Sequence, residues 1–170
     1  MKFFSEQDNW YKGNLHTHTT VSDGKYTPEE TMDLYKGQGY DFMALTDHWK
    51  LSCEDTYKGM LMLPGIELDA MVGHQGFHIV GVGMTGTLEA QRGMNAQQLI
   101  DAINAAGGKA ILAHPAWSLL YPQDMAALQG LAGSEVMNSV SKTPFNGDRA
   151  DSAVLLDITA TLGWPPCPPG

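Results

Sequence analysis

The sequence predicts an α/β fold, and three observations support that class. Short apolar runs are bounded by acidic residues or glycines, as is typical of buried parallel strands. Segments with helical spacing and capping residues lie between these runs. The 170 residues are 43% apolar and 17% charged, enough to bury one core. We therefore expect a mostly parallel sheet with covering helices.

The first half of the chain is expected to contain one helix among several strands. A helix is predicted over 28–36, because Thr27 can cap it, Glu30 can close a capping box and Gly37 can end it. The predicted strands of the whole chain are 15–19, 42–46, 60–68 with a break at Pro64 and Gly65, 77–83, 109–113 and a short one at 135–138.

The second half is expected to add two helices. Leu99 and Ile103 recur at helical spacing over 95–106, with Asn95 as a possible cap. A last helix is predicted over 151–162. Residues 1–163 are expected to form one domain, and 164–170 to be a proline-rich, disordered or extended tail, because proline fixes the backbone and removes hydrogen-bond donors.

Composition and charge limit the partners. The net charge is −9 and no basic run is present, which argues against binding duplex nucleic acid. The sequence contains no apolar run long enough for a signal peptide or a membrane span, so a cytoplasmic protein is expected. A small phosphorylated substrate remains compatible with the acidic surface if bound cations offset the charge. The oligomeric state is left open.

Histidines fall where predicted strands end. His16 and His18 end the first strand, His48 the second and His114 a later one. In alternating α/β folds this edge gathers ligand sites, because loops from many strands converge there. The His16 and His18 imidazoles are spaced by two residues, so an extended segment projects both from one face towards one ion. Nearby carboxylates, Asp23 and Glu67 among them, suit zinc, manganese or iron.

Six short motifs follow one another along the chain: His16-Thr17-His18, Ser22-Asp23-Gly24, Thr46-Asp47-His48, Gly65-Ile66-Glu67, Phe77-His78-Ile79 and Ala113-His114-Pro115. Together they resemble the PHP (polymerase and histidinol phosphatase) family of metal-dependent phosphoesterases. The resemblance covers about residues 14–138 and is specific because these motifs occur together in this order.

The resemblance implies a distorted seven-stranded βα barrel that binds up to three metal ions and hydrolyses phosphate esters. By matching position, His16, His18 and Glu67 would hold a first ion. Glu67 would bridge to a second ion that is also held by His78 and His114. Asp23 and His48 would belong to a third.

One family motif is absent after Gly163, a closing Asp-x-His that would supply ligands to the first and third ions. The barrel is therefore expected to be incomplete at its C-terminal end. The sequence leaves open a fragment, a misread reading frame and a degenerate member. One or two firmly held ions, a weak third site and reduced activity are expected.

Several neighbouring residues have alternative interpretations. His74 could replace His78 as a ligand, although His78 directly precedes the apolar run, as in the family. Asp47 is expected to orient a ligand rather than to bind metal. Lys50 could contact a substrate phosphate or be an ordinary solvated lysine. Trp49 and Trp117 could wall the site or belong to the core.

The expected activity is hydrolysis of a small phosphate ester, nucleotide-like or a sugar or alcohol phosphate, by a metal-activated water. No catalytic residue beyond the metal ligands is assigned. Two alternatives stay open: a metal-binding module without turnover, and an amidohydrolase. Many amidohydrolases would be expected to carry a bridging lysine in a middle strand.

Overall fold

The structure is a computed structural model that describes residues 8–53 and 55–164. Within these residues lie four α-helices, two short 3-10 helices (Val140–Lys142 and Pro144–Asn146) and eight strands. The α-helices are α1 (Pro28–Gly37), α2 (Ala96–Ala105), α3 (Pro122–Ala126) and α4 (Ala153–Thr161). The strands are β1 (Gly13–Asn14), β2 (Phe42–Ala44), β3 (Thr56–Tyr57), β4 (Met60–Leu63), β5 (Gly65–Val72), β6 (Gln75–Val82), β7 (Lys109–Leu112) and β8 (Leu131–Ser134).

The strands form two four-stranded mixed sheets. The first has the order β1-β2-β4-β3, and the second β5-β6-β7-β8. In the first sheet β1, β2 and β4 are parallel, and β3 pairs antiparallel with β4. In the second sheet β6 pairs antiparallel with both β5 and β7, and only the β7–β8 pair is parallel. The α/β class is confirmed, but the expectation of a mostly parallel sheet is wrong for the second sheet.

A tight turn explains this difference. Gly73 and His74 alone separate the last pair of β5 and β6, Val72 with Gln75, and Gly73 has a φ of +61°. So short a connection can join only antiparallel strands, since a parallel pair needs a crossover of a dozen residues or more.

The described residues form no closed barrel, so the expected seven-stranded barrel is not observed. The two sheets meet instead along the segment that follows β2. There His48 forms an isolated parallel bridge with Glu67, and Ser52 an antiparallel bridge with Gly65. Gly65 allows this approach, because a Cβ at its position would lie 2.6 Å from the carbonyl oxygen of Leu45. We call this junction, residues 47–52 against 65–67, the seam.

The predicted helix boundaries are close to those observed. Thr27 and Glu30 form the expected capping box at α1, and Asn95 forms another with Gln98 at α2. Gly37 belongs to the last turn of α1 rather than stopping it, and Gly39 follows with a φ of +74°. Each cap satisfies backbone N–H groups that lack a partner within the helix.

Some predicted strands are shifted or absent. Residues 135–138 are not a strand, because the pairing with β7 is made by the preceding residues, β8. The first strand is β1, and residues 15–19 continue from it without ladder pairing. The hydrophobic pattern did not reveal β3 or α3, which are two and five residues long.

The core has a main part on the second sheet and a smaller part beneath α1. On α2, Leu99, Ile100 and Ile103 are completely buried against the second sheet. Beneath α1, Met43 and Met60 are also completely buried. Methionine fills irregular gaps well, which suits it to these core positions.

None of the helices in the described part of the chain has the length and apolar character needed to cross a bilayer. The expected tail falls mostly on residues 165–170, which lie outside the described residues. Trp164, at its start, is buried with 6% of its surface exposed.

Candidate metal centre

Glu67 lies at the centre of a cluster of imidazoles. It is on β5 beside the seam, and the residue has 0% of its surface exposed. Its Oε2 lies 3.0 Å from His16 Nε2, 2.8 Å from His18 Nε2 and 3.7 Å from His48 Nε2. Its Oε1 lies 2.8 Å from His78 Nδ1 and 3.4 Å from His114 Nε2. A single carboxylate thus faces five imidazoles.

The elements that carry these side chains explain the convergence. His16 and His18 project from the extended segment after β1, with their Nε2 atoms 3.1 Å apart. His48 follows β2 and is brought to Glu67 by the seam. His114 follows β7, so these four histidines lie beyond the carboxyl ends of strands, as the sequence predicts.

His78 reaches the cluster differently. It lies within β6, paired with Asp69, while Glu67 pairs with Val80. Glu67 and His78 are therefore diagonal neighbours on one face of an antiparallel pair, a spacing at which long side chains interact. Because β6 pairs antiparallel with β5, His78 reaches Glu67 from within a strand and not from beyond its carboxyl end.

Asp23 lies at the solvent side of the cluster. Its Oδ1 is 3.2 Å from His18 Nδ1, and its Oδ2 is 3.8 Å from His48 Nε2. The loop before it is held by the buried Asp47, whose oxygens accept hydrogen bonds from the Thr19 backbone and hydroxyl and from the Ser22 hydroxyl, each at 2.7 Å. Asp47 thus fixes the loop that carries Asp23, and among the described residues its carboxylate bonds to this loop rather than to an imidazole.

Three groups of three residues have ligand atoms close enough to hold one ion each. All ligand atoms within a group lie within 4.8 Å of one another. The groups are His16, His18 and Glu67; His18, Asp23 and His48; and His48, Glu67 and His78. The first is the set expected for a first ion. Among the described residues His114 completes no such group, although it was expected beside Glu67 and His78.

The carboxylates and imidazoles of the cluster shift one another's pKa values. Burial acts to raise the pKa of the Glu67 carboxyl, but hydrogen bonds from four imidazoles bring this pKa far below its usual range. Burial lowers the pKa of His16, yet the Glu135 and Glu67 carboxylates raise it to about 10. Burial, the largest cause, also lowers the pKa of His48. Glu67 is therefore an ionised carboxylate, and a cation bound by His16 must displace the proton that the raised pKa of His16 retains.

A cavity of about 550 Å³ opens onto the cluster. Trp117 forms one wall, with its ring edge-on to His114 at 5.0 Å and to His78 at 5.7 Å.

Trp49 instead packs against the main core and donates a hydrogen bond from Nε1 to Asp69. His74 lies away from the cluster and contacts the Tyr121 hydroxyl, so the structure brings His78 rather than His74 to Glu67.

The cavity has a lysine, but not the one that the sequence suggested. Lys50 is exposed and is not among the described lining residues, whereas Lys25 is. Asn138, Ser141 and Asn146 also line the cavity. Lys25 directly follows the Ser22-Asp23-Gly24 motif, and that position was the available signal.

Glu135 is the main residue that sequence reasoning missed. Its Oε1 lies 2.6 Å from His16 Nδ1, and its Oε2 accepts hydrogen bonds from the His114 backbone N–H at 2.8 Å and Asn138 Nδ2 at 3.0 Å. The sequence pattern predicts a strand over 135–138, so Glu135 was not recognised as a residue that follows one. With the strand placed correctly, Glu135 directly follows β8, at the same kind of strand end that drew attention to the histidines.

Comparisons with known sequences find phosphoester hydrolases. No protein-family model matches the chain. The chain is 28% identical over 103 residues, 53% of its length, to a 5'-3' exoribonuclease of Haemophilus influenzae. It is 32% identical over 77 residues, 42% of its length, to a 3',5'-nucleoside bisphosphate phosphatase of Chromobacterium violaceum. These matches span only 38% and 27% of the two relatives.

Solved structures share the fold. A metal-dependent phosphoesterase from Bifidobacterium adolescentis aligns with a TM-score of 0.54 and 17% identity, over 89% of this chain and 84% of the other. A two-domain protein from Bacteroides vulgatus that contains a PHP-like metal-dependent phosphoesterase gives 0.57 and 19%, over 75% and 44%. An amidohydrolase from Chromobacterium violaceum gives 0.56 and 18%, over 81% and 83%.

Fold and site together define a class. The chain has a mixed α/β fold shared with PHP-like metal-dependent phosphoesterases, and it carries a histidine and carboxylate cluster able to hold a metal ion.

Proposed function

We propose that this chain is a metal-dependent phosphoesterase that hydrolyses a small phosphate ester, nucleotide-like or a sugar or alcohol phosphate. The observation that carries the proposal is the fully buried Glu67 carboxylate facing five imidazoles at the floor of a cavity. A buried charge is costly unless it is paired, and imidazole nitrogens mixed with carboxylate oxygens suit first-row divalent ions.

The donor set fits such ions. His16, His18 and Glu67 would hold a first ion, and Glu67 with His78 and either His48 or His114 a second. Asp23, His48 and His18 would hold a third, exposed ion. We propose that one or two ions of zinc, manganese or iron are held firmly, because the third set includes the largely exposed Asp23.

Bound divalent ions would lower the pKa of water and offset charge that develops on phosphate oxygens. The protein's own residues provide the surroundings. Trp117 and the buried floor limit access of water from one side, and Lys25 offers a positive charge at the cavity edge. Lys25 thereby takes the phosphate-contacting role that the sequence suggested for Lys50.

The size and charge of the cavity favour a small substrate. A volume of about 550 Å³ lies in the usual range of sites for small molecules, roughly 300 to 1,000 Å³. Lys25 is the one Lys or Arg among the described residues that line it, which gives no basic track for a long polynucleotide. The exoribonuclease relative makes a short oligonucleotide the main alternative substrate.

An amidohydrolase is the second candidate, since one protein of similar fold bears that name. Among the described residues lining the cavity, the lysine is Lys25, which lies in a loop and not in a middle strand. The bridging lysine expected of many amidohydrolases therefore has no counterpart in this lining.

The test combines metal analysis with activity assays. Purified protein is analysed for bound metal and assayed with p-nitrophenyl phosphate and its bis-ester in added manganese, beside amide and deaminase substrates. We expect bound metal and hydrolysis of at least one phosphate ester. Metal binding without any turnover would support the metal-binding module, and amide hydrolysis alone would support the amidohydrolase.

Matched histidine variants locate the activity. His78→Ala removes an imidazole 2.8 Å from Glu67, whereas His74→Ala removes one four residues earlier that lies outside the cluster. We expect the first variant to lose metal and activity and the second to retain both. Equal behaviour of the two variants would contradict the proposed site.

A further inference from the structure

Glu135 lies on the far side of His16 from the metal cluster. The two nitrogens of an imidazole point from opposite edges of the ring. His16 Nε2 faces Glu67 Oε2 at 3.0 Å and His18 Nε2 at 3.1 Å, while His16 Nδ1 faces Glu135 Oε1 at 2.6 Å. An ion held by Nε2 is therefore beyond the reach of Glu135, so this carboxylate is not placed as a replacement ligand.

The second oxygen of Glu135 serves another ligand. Oε2 accepts the backbone N–H of His114, whose φ of +26° is unusual for a residue with a side chain. Strained backbone conformations persist where surrounding contacts enforce them. Asn138 Nδ2 donates to the same oxygen at 3.0 Å, which fixes the carboxylate itself.

We propose that Glu135 is a positioning residue that sets two ligands at once, holding His16 with its Nε2 towards the metal cluster and fixing the backbone from which His114 projects. A carboxylate that accepts the proton of one imidazole nitrogen leaves the other nitrogen free to bind metal. His16 and His114 are far apart in sequence, and Glu135 is 119 residues from His16. One side chain therefore holds two ligands that come from distant parts of the chain. This inference rests on the proposed function in taking the cluster to bind metal.

Three hydrogen-bond donors surround the Glu135 carboxylate: His16 Nδ1, the His114 backbone N–H and Asn138 Nδ2. A carboxylate is needed here because three donors surround it, and a glutamine side chain has only one acceptor oxygen. Glu135→Gln is close in shape, but its amide nitrogen cannot accept the proton of His16 Nδ1 while its oxygen accepts from His114 and Asn138.

The experiment measures zinc affinity by chelator competition, together with the tautomer of His16 by long-range ¹H–¹⁵N NMR of the zinc-loaded protein. In wild type we expect His16 protonated on Nδ1 and zinc on Nε2. Glu135→Ala should lower zinc affinity by about 10- to 100-fold, and Glu135→Gln by a smaller factor, with partial loss of the zinc-bound, Nδ1-protonated form of His16 at a zinc concentration that saturates wild type. Glu89→Gln, the same charge change at an exposed loop residue, is the matched control.

The outcomes separate this inference from the proposed function. If wild type binds no zinc, the proposed function fails and this inference fails with it. If wild type binds zinc and folded Glu135→Gln binds it equally, with His16 in the same tautomer, only the positioning role is overturned. Should Glu135→Ala fail to fold, the isosteric glutamine variant still decides the question.

Discussion

At the scale of the residue, the site depends on Glu67 because both of its oxygens are in use. Oε2 faces His16, His18 and His48, and Oε1 faces His78 and His114. The carboxylate also carries the negative charge that makes the pocket attractive to a cation. An amide in its place would keep the volume but not the charge or the second acceptor.

Glu67→Gln is therefore expected to reduce bound metal and to bring phosphoester hydrolysis to background. Removing one partner of a buried charged cluster is costly, typically about 3 to 5 kcal/mol, so the folded fraction must be checked by circular dichroism. Metal content and the p-nitrophenyl phosphate rate are the measurements. Full metal content with full activity would show that Glu67 bridges nothing.

The residues of the cluster could be predicted from sequence much better than their supports. Strand position and the family resemblance led to His16, His18, Asp23, His48, Glu67, His78 and His114, and the structure brings all seven together. Their roles as ligands remain predictions. Glu135 could not be found in this way, because its contact with His16 spans 119 residues and depends on strand register that the sequence pattern does not define.

At the scale of the element, β5 decides how the two sheets meet. Its first residue, Gly65, packs so closely on the end of β2 that an added Cβ would lie 2.6 Å from Leu45 O and 3.0 Å from the Ala44 Cβ. The bridge between His48 and Glu67 lies two residues further along β5. Spacing at Gly65 therefore controls the geometry of the metal centre.

Gly65→Ala is expected to destabilise the protein by about 1 to 3 kcal/mol, the usual cost of overpacking, and to weaken metal binding by shifting the seam. Urea unfolding and metal content measure the two effects. Gly37→Ala is the matched control, because a Cβ there meets nothing within 4 Å and the residue ends α1. A Gly65 variant as stable as the Gly37 variant would refute the packing argument.

Local sequence predicted helices better than strand direction. The capping boxes at Thr27 and Asn95 are short-range features, and both are observed. The antiparallel course of β6 follows from the turn at Gly73 and His74, which the apolar pattern of the flanking runs did not reveal. The division of the described strands into two sheets was likewise not predicted, since barrel closure depends on pairing between distant strands.

At the scale of the whole molecule, the proposed metal centre lies where the two sheets meet. His48 comes from the side of the first sheet, whereas Glu67 and His78 come from the second. An ion held by ligands from both sides would bind the folded chain in preference to the unfolded one. Binding would therefore add to the stability of the fold.

Metal removal is expected to lower the melting temperature. Zinc or manganese at 100 times its Kd should stabilise the chain by about 2.7 kcal/mol, roughly 5 to 11 °C for a chain of this size. Thermal unfolding with added metal and with EDTA measures the difference. Glu67→Gln should show little or no shift, and an unchanged melting temperature in metal-loaded wild type would contradict binding across the seam.

The seam also has a consequence for amide hydrogen exchange. Two backbone hydrogen bonds cross it, from Trp49 N–H to Glu67 O and from Ser52 N–H to Gly65 O, both at 2.9 Å. Each exchanges with deuterium only when the sheets part locally or the whole chain unfolds. An ion coordinated from both sides opposes that parting, so these amides should exchange about 100-fold more slowly at 100 times the Kd, if opening releases the ion. The Thr31 amide, bonded to Thr27 O in the first turn of α1, opens by local fraying and should keep its rate. Bound metal would then hold the two sheets together at the seam, and hydrogen exchange would measure that stabilisation at individual amides.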